Sequence, residues 1–415
     1  MSTITQAADA VIIGGGAAGM MAAITCAERG RDVVLIEHEP FCGKKLRITG
    51  KGRCNVCNDC GEDVKAFLKN VPRNPKFLYG SLSRFGPAET MAFFERSGVP
   101  LKTERGNRVF PRSDNAHDVA NALERRMKRA GAKVLTAEAL EILTTKDGAV
   151  CGVRTPEGTI DCESVLIATG GASYPRTGST GDGYRFARLL GHTVTPLRPS
   201  LVPLESGDAD CAEMQGFSLK NVTLTALDGN DKIIFSELGE LMVTHFGVTG
   251  PLVLSASAHM RDFVKERYRL EIDLKPGLSE EKLDARILRD FEKYKNRAFK
   301  NALDDLAGRT MIPVLVRRSG IPPDTQVNSV TREQRLTLVK LFKAFPVSVT
   351  GPRSLDVAVV TAGGVAVEEI DPRTMQSKLI SGLYFAGEVI DVDAYTGGFN
   401  LQIAWSTGRV AGMNL

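Results

Sequence analysis

The sequence predicts an α/β protein in which a domain with a parallel sheet receives an inserted β-rich domain, which itself carries a helical subdomain. A short apolar strand, a helix of small residues and a second apolar strand follow one another within residues 10–37. Both strands are continuously apolar, which is typical of a parallel sheet covered on both faces. Strand-like alternation then dominates residues 194–254, helical periodicity dominates residues 279–344, and a strand, a loop and a helix return at 382–412.

These changes of pattern predict the domain boundaries. Residues 1–191 and 347–415 are expected to form one two-part domain, residues 192–278 the β-rich insertion and residues 279–346 the helical subdomain. With 415 residues, of which 43% are hydrophobic and 25% charged, the chain is long enough for two or three domains. A core of this size needs no disulfides.

Cysteine content and hydropathy indicate the compartment. The eight cysteines are too sparse for a disulfide scaffold, and no cleavable signal precedes them. The longest apolar run, from Val11 to Ala27, is interrupted by four glycines and carries no stop-transfer flank. We therefore expect a soluble, cytoplasmic protein with reduced thiols and no membrane segment. No oligomeric state is predicted.

Three cysteines, Cys54, Cys57 and Cys60, raise the question of a metal or an iron–sulfur cluster. A ferredoxin-type run needs a fourth nearby ligand and usually a proline after it, and neither is present. No metal is therefore expected. A redox-active disulfide is not expected either, because Cys42 is matched by Arg47 where a second cysteine would stand.

Residues 14–19 have the spacing G-x-G-x-x-G between a strand and a helix. The first glycine allows a tight turn, the second lets the backbone approach a pyrophosphate, and the third lets helix and strand pack closely. The helix N-terminus then offers free N–H groups to the phosphates. Glu37 ends the second strand, where its carboxylate would accept hydrogen bonds from a ribose diol and repel a 2′-phosphate. This unit predicts a dinucleotide site that contains Gly14, Gly16, Ala17, Ala18, Gly19 and Glu37.

Two features favour FAD over NAD as the dinucleotide. The fingerprint occurs once, and the segment from Leu383 to Glu388 near the C-terminus is followed by Gly397 to Leu401 opening another helix. A second helix N-terminus beside the N1 and C2=O edge of a flavin would stabilise the negative charge of the reduced ring. The sequence therefore predicts one bound FAD.

Taken with the rest of the chain, these segments resemble the bacterial family of FAD-dependent oxidoreductases often called aminoacetone-oxidase-like or bile-acid-reductase-like flavoproteins. The resemblance covers nearly the whole chain. It rests on the segments 43–46, 50–55, 109–111, 168–175, 244–251, 361–365 and 387–405. It implies a two-part Rossmann-type FAD domain with an inserted β domain that is interrupted by a helical subdomain.

By similarity, Glu37 would bind the adenosine ribose, Lys44 and Arg53 would lie along the cofactor, and Val134 would be near the adenine. Glu388, Asn400 and Leu401 would approach the flavin side. The full set of expected cofactor residues adds Asn55, Gly170, Gly387, Asp391 and Gly398. The sequence departs from the family pattern at Cys57 to Cys60, where a hydroxyl residue is more usual after Val56.

Activities attributed to the family include reduction of conjugated bile-acid ketones, dihydrouridine formation in ribosomal RNA and oxidation of small amino ketones. The first two add hydride to the β carbon of a conjugated carbonyl and a proton to the α carbon, which requires a donor to the developing enolate and a proton source. The candidate proton donors are His245, in a Gly/Thr-rich loop, Cys54, whose polar neighbours would lower its thiol pKa, Tyr174 and Tyr395.

The leading hypothesis is a flavin reductase fed transiently by NAD(P)H that acts on a conjugated carbonyl. The alternatives are an oxidase that passes electrons to O₂ and a modifying enzyme of ribosomal RNA. Residues 41–130 contain 19 Lys and Arg against nine Asp and Glu, although the whole chain carries a net charge of only +4. An anionic small-molecule substrate or RNA is therefore an expected partner.

Overall fold

The computed structural model describes residues 6–61, 63–264 and 267–415, which form two compact units. The first unit contains the chain up to Ser200 together with Leu355–Leu415, and the second contains Leu201–Ser354.

The core of the first unit is a sheet of five parallel strands within the described residues. In spatial order the strands are Leu383–Phe385, Ser164–Ile167, Ala10–Ile13, Val33–Glu37 and Lys133–Thr136. The inner strands are rich in Val, Ile and Leu and are buried, as a parallel sheet covered on both faces requires. The chain leaves four of them, at Ile13, Glu37, Ile167 and Phe385, along one side, which we call the carboxyl edge. The predicted α/β class with a parallel sheet is confirmed.

Helices cover this sheet, and smaller sheets flank it. The helices are Ala17–Ala27, Lys44–Gly52, Val64–Leu68, Tyr79–Arg84, Pro87–Arg96, Ala116–Ala130, Asp182–Leu189 and Phe399–Asn414, with 3-10 turns at Pro75–Leu78, Pro175–Thr177, Leu355–Val357, Val367–Glu369 and Gly387–Val389. The smaller sheets consist of Cys57–Asn58, Arg108–Pro111 and Leu101–Glu104; of Gln6–Ala7, Gly158–Asp161, Val150–Thr155 and Glu141–Thr144; and of Arg198–Ser200 with Val360–Ala362. Several of these strands have only two to four residues, too few for a pattern that sequence reasoning detects.

The first and last helices of this unit, Ala17–Ala27 and Phe399–Asn414, pack directly against each other. A Cβ on Gly408 would lie 2.4 Å from the carbonyl oxygen of Ala18, and one on Gly412 would lie 2.5 Å from that of Ala22. Only glycine permits this approach of two backbones. Both helices are almost completely buried, so the apolar run that begins at Val11 belongs to the core of the first unit.

The second unit is an antiparallel sheet with helices. In spatial order its strands are Phe345–Ser348, Arg269–Asp273, Ser218–Leu227, Ile233–Thr244, Gly247–Thr249, Leu204–Glu205 and Gly351–Pro352. Its helices are Asp210–Glu213, Pro251–Ser257, Glu280–Lys293, Ile312–Ser319 and Arg332–Lys343, with 3-10 turns at Phe299–Asn301 and Val327–Ser329. Ser279 and Thr331 cap two helices by accepting from the backbone N–H of Lys282 and Gln334.

The boundaries between the two units differ from those that the sequence pattern suggested. The junctions fall at 200/201 and 354/355 rather than at 191/192 and 346/347. The strand Arg198–Ser200 pairs with Val360–Ala362 inside the first unit, and Phe345–Ser348 pairs with Arg269–Asp273 inside the second. The helices of residues 279–346 also share one hydrophobic core with the antiparallel sheet, since Leu283 and Ile287 cluster with residues such as Leu270.

In the described ranges, no helix combines the length and the apolar character needed to cross a membrane.

Candidate cofactor site and active site

The glycine loop connects the central strand to the first helix at the carboxyl edge. Gly14 has a φ of +106°, a conformation that glycine adopts at little cost, and its N–H donates to the carbonyl of Ile36 at 2.8 Å. A Cβ on Gly19 would lie 1.9 Å from the Gly14 oxygen, whereas a Cβ on Gly16 would meet nothing within 4 Å. A side chain therefore has no room at Gly19 but would have room at Gly16. The helix that follows has no side-chain cap, and its first turn, at Ala17, has no acidic residue.

Glu37 is the last residue of the neighbouring strand, as predicted. Its Oε2 accepts from the Gly15 N–H at 2.8 Å and its Oε1 from the Glu39 N–H at 2.9 Å. The carboxylate is thus fixed beside the glycine loop, and each oxygen keeps acceptor capacity for a further hydroxyl. Thr136 is its partner on the edge strand, where Val134 is exposed two residues earlier.

Glu388 is the centre of a polar cluster built from four segments, which we call the Glu388 cluster. Its Oε1 accepts from the Thr361 N–H at 2.8 Å and from the Ser173 hydroxyl at 3.3 Å, and its Oε2 accepts from the Lys45 ammonium at 3.0 Å. Lys45 also donates to Ser173 at 2.8 Å. Because Glu388 and Ser173 follow the strands that end at Phe385 and Ile167, the cluster lies at the carboxyl edge.

Gly170 and Gly387 belong to the same edge. A Cβ on Gly387 would lie 2.9 Å from the Cβ of Ala18, so the turn that carries Glu388 touches the first helix beside the glycine loop. A Cβ on Gly171, next to Gly170, would lie 2.7 Å from Glu388 Oε1. The structure therefore brings these predicted residues together with the glycine loop.

The C-terminal helix begins at Phe399, and a neighbouring segment passes close to Gly398, the residue before it. A Cβ on Gly398 would lie 2.3 Å from the carbonyl oxygen of Cys57, and Trp405 Nε1 donates to the carbonyl of Val56 at 2.9 Å. Asn400 exchanges two hydrogen bonds with the backbone of Ala394, at 2.9 and 2.7 Å. The amide of Asn400 thereby fixes the preceding loop, and Leu401, beside it, is partly buried.

These residues fit a bound FAD. The helix N-terminus and the open face of Gly16 can accept a pyrophosphate, and the fixed carboxylate of Glu37 can accept a ribose diol. Asn55 Oδ1 is buried and has no hydrogen-bond partner among the described residues. Such an atom is costly unless a ligand or water satisfies it. Its place one residue before the segment that contacts Gly398 and Trp405 suits a cofactor that reaches from the glycine loop to the last helix.

Two predicted cofactor residues have other partners in the structure. Lys44 donates to Glu39 at 2.7 Å. Arg53 pairs with Glu104 and with Asp114, whose Oδ1 it reaches at 2.9 Å, and its guanidinium lies 4.1 Å from the centre of the Phe110 ring. The predicted places of Lys44 and Arg53 along the cofactor stay predictions.

Asp391 is buried and forms a bidentate ion pair with Arg73. The backbone carbonyl of Asp391 also accepts from Asn74 Nδ2 at 2.6 Å. No pattern in the sequence indicates that Arg73 reaches this loop, 318 residues away along the chain. In sequence, Asp391 lies between Glu388 and the N-terminus of the last helix.

The candidate proton donors lie in different places. Cys54 is fully buried, and burial raises the pKa of its thiol to about 12, with a counteracting hydrogen bond to Thr49. The lowered thiol pKa that its polar neighbours suggested is wrong, because its side chain is withdrawn from water. Tyr174 is exposed in a left-handed backbone conformation with φ of +54°, and Tyr395 is partly buried with its N–H donating to Asn70.

His245 belongs to the second unit, whereas the other candidates belong to the first. It is exposed in the tight turn between Ile233–Thr244 and Gly247–Thr249, and its ring packs edge-on against Phe246 with centroids 5.2 Å apart. Its role in proton transfer stays a prediction.

All eight cysteines are free thiols in the structure. Across residues 6–61, 63–264 and 267–415, no three His, Cys, Asp or Glu side chains are grouped so that they could hold a metal ion.

Many cations of residues 41–130 are paired with carboxylates. Besides Lys44, Lys45, Arg53 and Arg73, ion pairs join Arg47 to Glu124, Lys102 to Asp114 and Arg126 to Glu28. Arg126 also lies over the Phe93 ring at 4.2 Å. In the described part of the chain, these ion pairs involve seven of the 19 Lys and Arg residues of the segment, whereas Arg125 and Arg129 are exposed.

Sequence reasoning did not assign Lys45, Ser173, Thr361 or Arg73 to the site. The first three lie inside motifs that carry the family resemblance, which could have marked them. Arg73 lies in none of these motifs, and its pairing is visible only in three dimensions.

The first unit has a Rossmann-type glycine loop that leads into a helix without a side-chain cap, and a glutamate at the end of the second strand. A second helix begins in another glycine-rich loop. These features are those of an FAD-dependent oxidoreductase. Residues 8–414 match the family described as "HI0933-like protein Rossmann domain", and the chain belongs to that family.

The chain matches several relatives over nearly their whole lengths. The chain is 32% identical over 406 residues to the 3-dehydro-bile acid delta(4,6)-reductase of Clostridium scindens, covering 97% of both chains. It is 30% identical over 413 residues to the ribosomal RNA dihydrouridine synthase of Escherichia coli strain K12, covering 98% of both. Among solved structures, a flavocytochrome c3 fumarate reductase in its open conformation shares the fold, with a TM-score of 0.54, 16% identity and coverage of 99% of this chain and 78% of that one.

Proposed function

We propose that this protein reduces a C=C bond conjugated to a carbonyl group in a small-molecule substrate of the steroid or bile-acid type, with NAD(P)H as the transient electron donor. The observation that carries the proposal is the match over nearly the whole chain to two relatives whose names describe one kind of chemistry. A delta(4,6)-reductase of a 3-oxo bile acid and a dihydrouridine synthase both add hydrogen across a C=C bond conjugated to a carbonyl. The eight free thiols suit a cytoplasmic location.

When bound, FAD supplies a two-electron carrier that can accept and return a hydride. The glycine loop and Glu37 would hold its pyrophosphate and adenosine ribose, and the Glu388 cluster and Asn55 would hold the remainder. The chain's own contribution to the reaction is orientation of the substrate, exclusion of water, stabilisation of the enolate oxygen and delivery of a proton to the α carbon.

Anaerobic reduction and reoxidation test this proposal. NADH or NADPH should bleach the visible flavin absorption of the purified protein, and a 3-oxo-Δ4,6 bile acid should restore it without oxygen. Aminoacetone and air serve as the comparison. If aminoacetone bleaches the flavin, air restores it with formation of hydrogen peroxide and the bile acid has no effect, the amino-ketone oxidase alternative replaces the proposal.

A second candidate is dihydrouridine formation in ribosomal RNA, which the 30% identity to a dihydrouridine synthase favours. The ion pairs of residues 41–130 support the small molecule instead, because paired cations are less available to phosphates. RNA binding through several phosphates would weaken on the order of a thousandfold between 50 and 200 mM salt. A bile acid with a single carboxylate would show a mild salt effect.

Charge reversal separates the two substrates. Arg125→Glu with Arg129→Glu changes exposed cations, whereas Arg126 is kept because it pairs with Glu28. Lys282→Glu with Arg289→Glu, exposed on the helix Glu280–Lys293, is the control with the same change of charge. We expect no salt-steep RNA binding in the unaltered protein. Such binding, lost only in the Arg125 and Arg129 variant, would establish RNA as the substrate.

A further inference from the structure

The ion pair of Arg73 and Asp391 is asymmetric in its access to solvent. The Asp391 side chain is 3% exposed, whereas the Arg73 side chain is 30% exposed. Nε and Nη2 of Arg73 donate to the two carboxylate oxygens, which makes the pair bidentate. Asp391 is therefore the buried member of the pair, and Arg73 is the member whose side chain is partly exposed.

The guanidinium keeps unused donors. A guanidinium has five N–H groups, and Asp391 takes two of them. Within the described ranges, Nη1 has no hydrogen-bond partner, so its two N–H groups and the second one on Nη2 are available. Nη1 and Nη2 together form an edge that can donate two converging hydrogen bonds to one oxygen atom.

The position of this edge is fixed by the neighbouring backbone. Asn74 Nδ2 donates to the carbonyl of Asp391 at 2.6 Å, and the backbone of Arg73 forms a β-bridge with that of Asp393. The Tyr395 N–H donates to the carbonyl of Asn70 at 2.9 Å. Residues 70–74 are thus tied to the loop that joins the Glu388 cluster to the last helix, the two features expected to border the flavin.

The electrostatics suit a neutral oxygen that becomes negative. Hydrogen bonding and charge attraction from Asp391, with smaller contributions from Asp393 and Glu368, raise the pKa of Arg73. The guanidinium therefore stays protonated and acts only as a hydrogen-bond donor. Because Asp391 already balances its charge, the pair attracts a full carboxylate weakly but can still stabilise charge that develops on a carbonyl oxygen.

We propose that Arg73 donates hydrogen bonds to the carbonyl oxygen of the conjugated substrate and that Asp391 is its positioning residue. The inference rests on the proposed function. When the β carbon accepts a hydride, the electron pair of the C=C bond forms the new bond between the α and carbonyl carbons, and the pair of the C=O bond moves to oxygen. Arg73 stabilises that enolate oxygen. A proton then adds to the α carbon, the carbonyl re-forms, and NAD(P)H is the reductant consumed.

Phenol binding tests the donor directly. Phenolates resemble the enolate, so the FAD-loaded protein should lower the pKa of bound 4-nitrophenol or of the phenolic steroid equilenin by about one unit or more. Arg73→Lys should abolish most of this shift, and the nearly isosteric Asp391→Asn should reduce it. Arg126→Lys is the matched control, because Arg126 is 27% exposed and also paired with a carboxylate.

Transient kinetics give the second readout. Reoxidation of the reduced protein by the steroid substrate, a 3-oxo-Δ4,6 bile acid, should slow about a hundredfold in Arg73→Lys, whereas reduction by NAD(P)H and the FAD content should stay as in the unaltered protein. If the unaltered reduced protein does not react with the steroid, the proposed function fails, and the phenol titration still decides the role of Arg73. An unshifted phenol pKa in the unaltered protein, or equal shifts in Arg73→Lys, would overturn the inference.

Discussion

The glycine loop and the loop that carries Glu388 and Asp391 both lie at the carboxyl edge of the parallel sheet, but they are built from different materials. The glycine loop uses backbone: a positive φ at Gly14, a close approach at Gly19 and an uncapped helix N-terminus. The second loop uses side chains from distant segments, such as Lys45 and Arg73. The glycine loop therefore depends on close backbone packing, and the second loop depends on the pairing of charged side chains.

This difference determines how each of the two loops should respond to mutation. Where backbone atoms almost touch, an added methyl group has no room, and the protein loses stability. Where partly exposed ion pairs orient a carboxylate, loss of one partner costs less, because solvent replaces part of the interaction.

The largest effect is expected for Gly19→Ala. Its Cβ would lie 1.9 Å from the Gly14 oxygen, so we expect about 3 kcal/mol or more of lost folding free energy. Gly16→Ala is the matched control, since its Cβ meets nothing within 4 Å. It should leave the FAD-free protein as stable as before but weaken FAD binding. Urea unfolding of the FAD-free proteins measures the first effect and FAD titration the second. Equal stability of the two variants would contradict the conclusion that a Cβ clashes at Gly19 and has room at Gly16.

A smaller effect is expected for Glu37→Arg. The change removes the acceptor for the Gly15 and Glu39 N–H groups and puts a cation where a ribose diol is expected, at a cost of about 1–3 kcal/mol. Glu37→Gln keeps an acceptor and should retain most of the affinity. FAD dissociation constants measured by fluorescence check both. Unchanged FAD affinity in Glu37→Arg would contradict the assigned ribose site.

Lys45→Met should have a smaller effect again. Lys45 and Glu388 are both partly exposed, so loss of their ion pair should weaken FAD binding by about 1 kcal/mol or less. Lys293→Met, which breaks an exposed ion pair with Asp305 in the second unit, is the control and should not change FAD affinity. A loss of FAD affinity as large as that in Glu37→Arg would mean that FAD binding depends on the second loop as strongly as on the glycine loop.

The smallest effect concerns Cys54. Burial raises the pKa of this thiol from 9.0 to about 12, so Cys54 should resist iodoacetamide at pH 8 while the partly exposed Cys60 and Cys151 react first. The unfolded thiol ionises at lower pH than the folded one. The stability it contributes is therefore present below about pH 9 and lost as pH rises toward 12. Mass spectrometry of labelled peptides gives the order of reaction, and early labelling of Cys54 would contradict its burial.

The features that could be predicted from the sequence follow the same division between backbone geometry and side-chain pairing. The strand–glycine–helix unit and Glu37 were predictable, because short-range spacing determines backbone geometry. The capping residues Ser279 and Thr331 were predictable for the same reason. The partners of Arg53 and Arg73 were not, since Glu104 and Asp391 lie 51 and 318 residues away and nothing local encodes the encounter. The predicted lowering of the Cys54 pKa was wrong, because burial of the thiol, which no local sequence pattern reveals, raises its pKa.

The contact between the first and last helices has a consequence for biosynthesis. Ala18 and Ala22 are made early, but Gly408 and Gly412, which they contact, leave the ribosome almost 400 residues later. Domains usually fold as units during synthesis, so the second unit, whose residues are contiguous, can fold while the nucleotide-binding unit is still waiting for its last helix. Until then the apolar face of the first helix is exposed to solvent. We expect nascent chains that stop before residue 399 to recruit chaperones and to acquire no flavin.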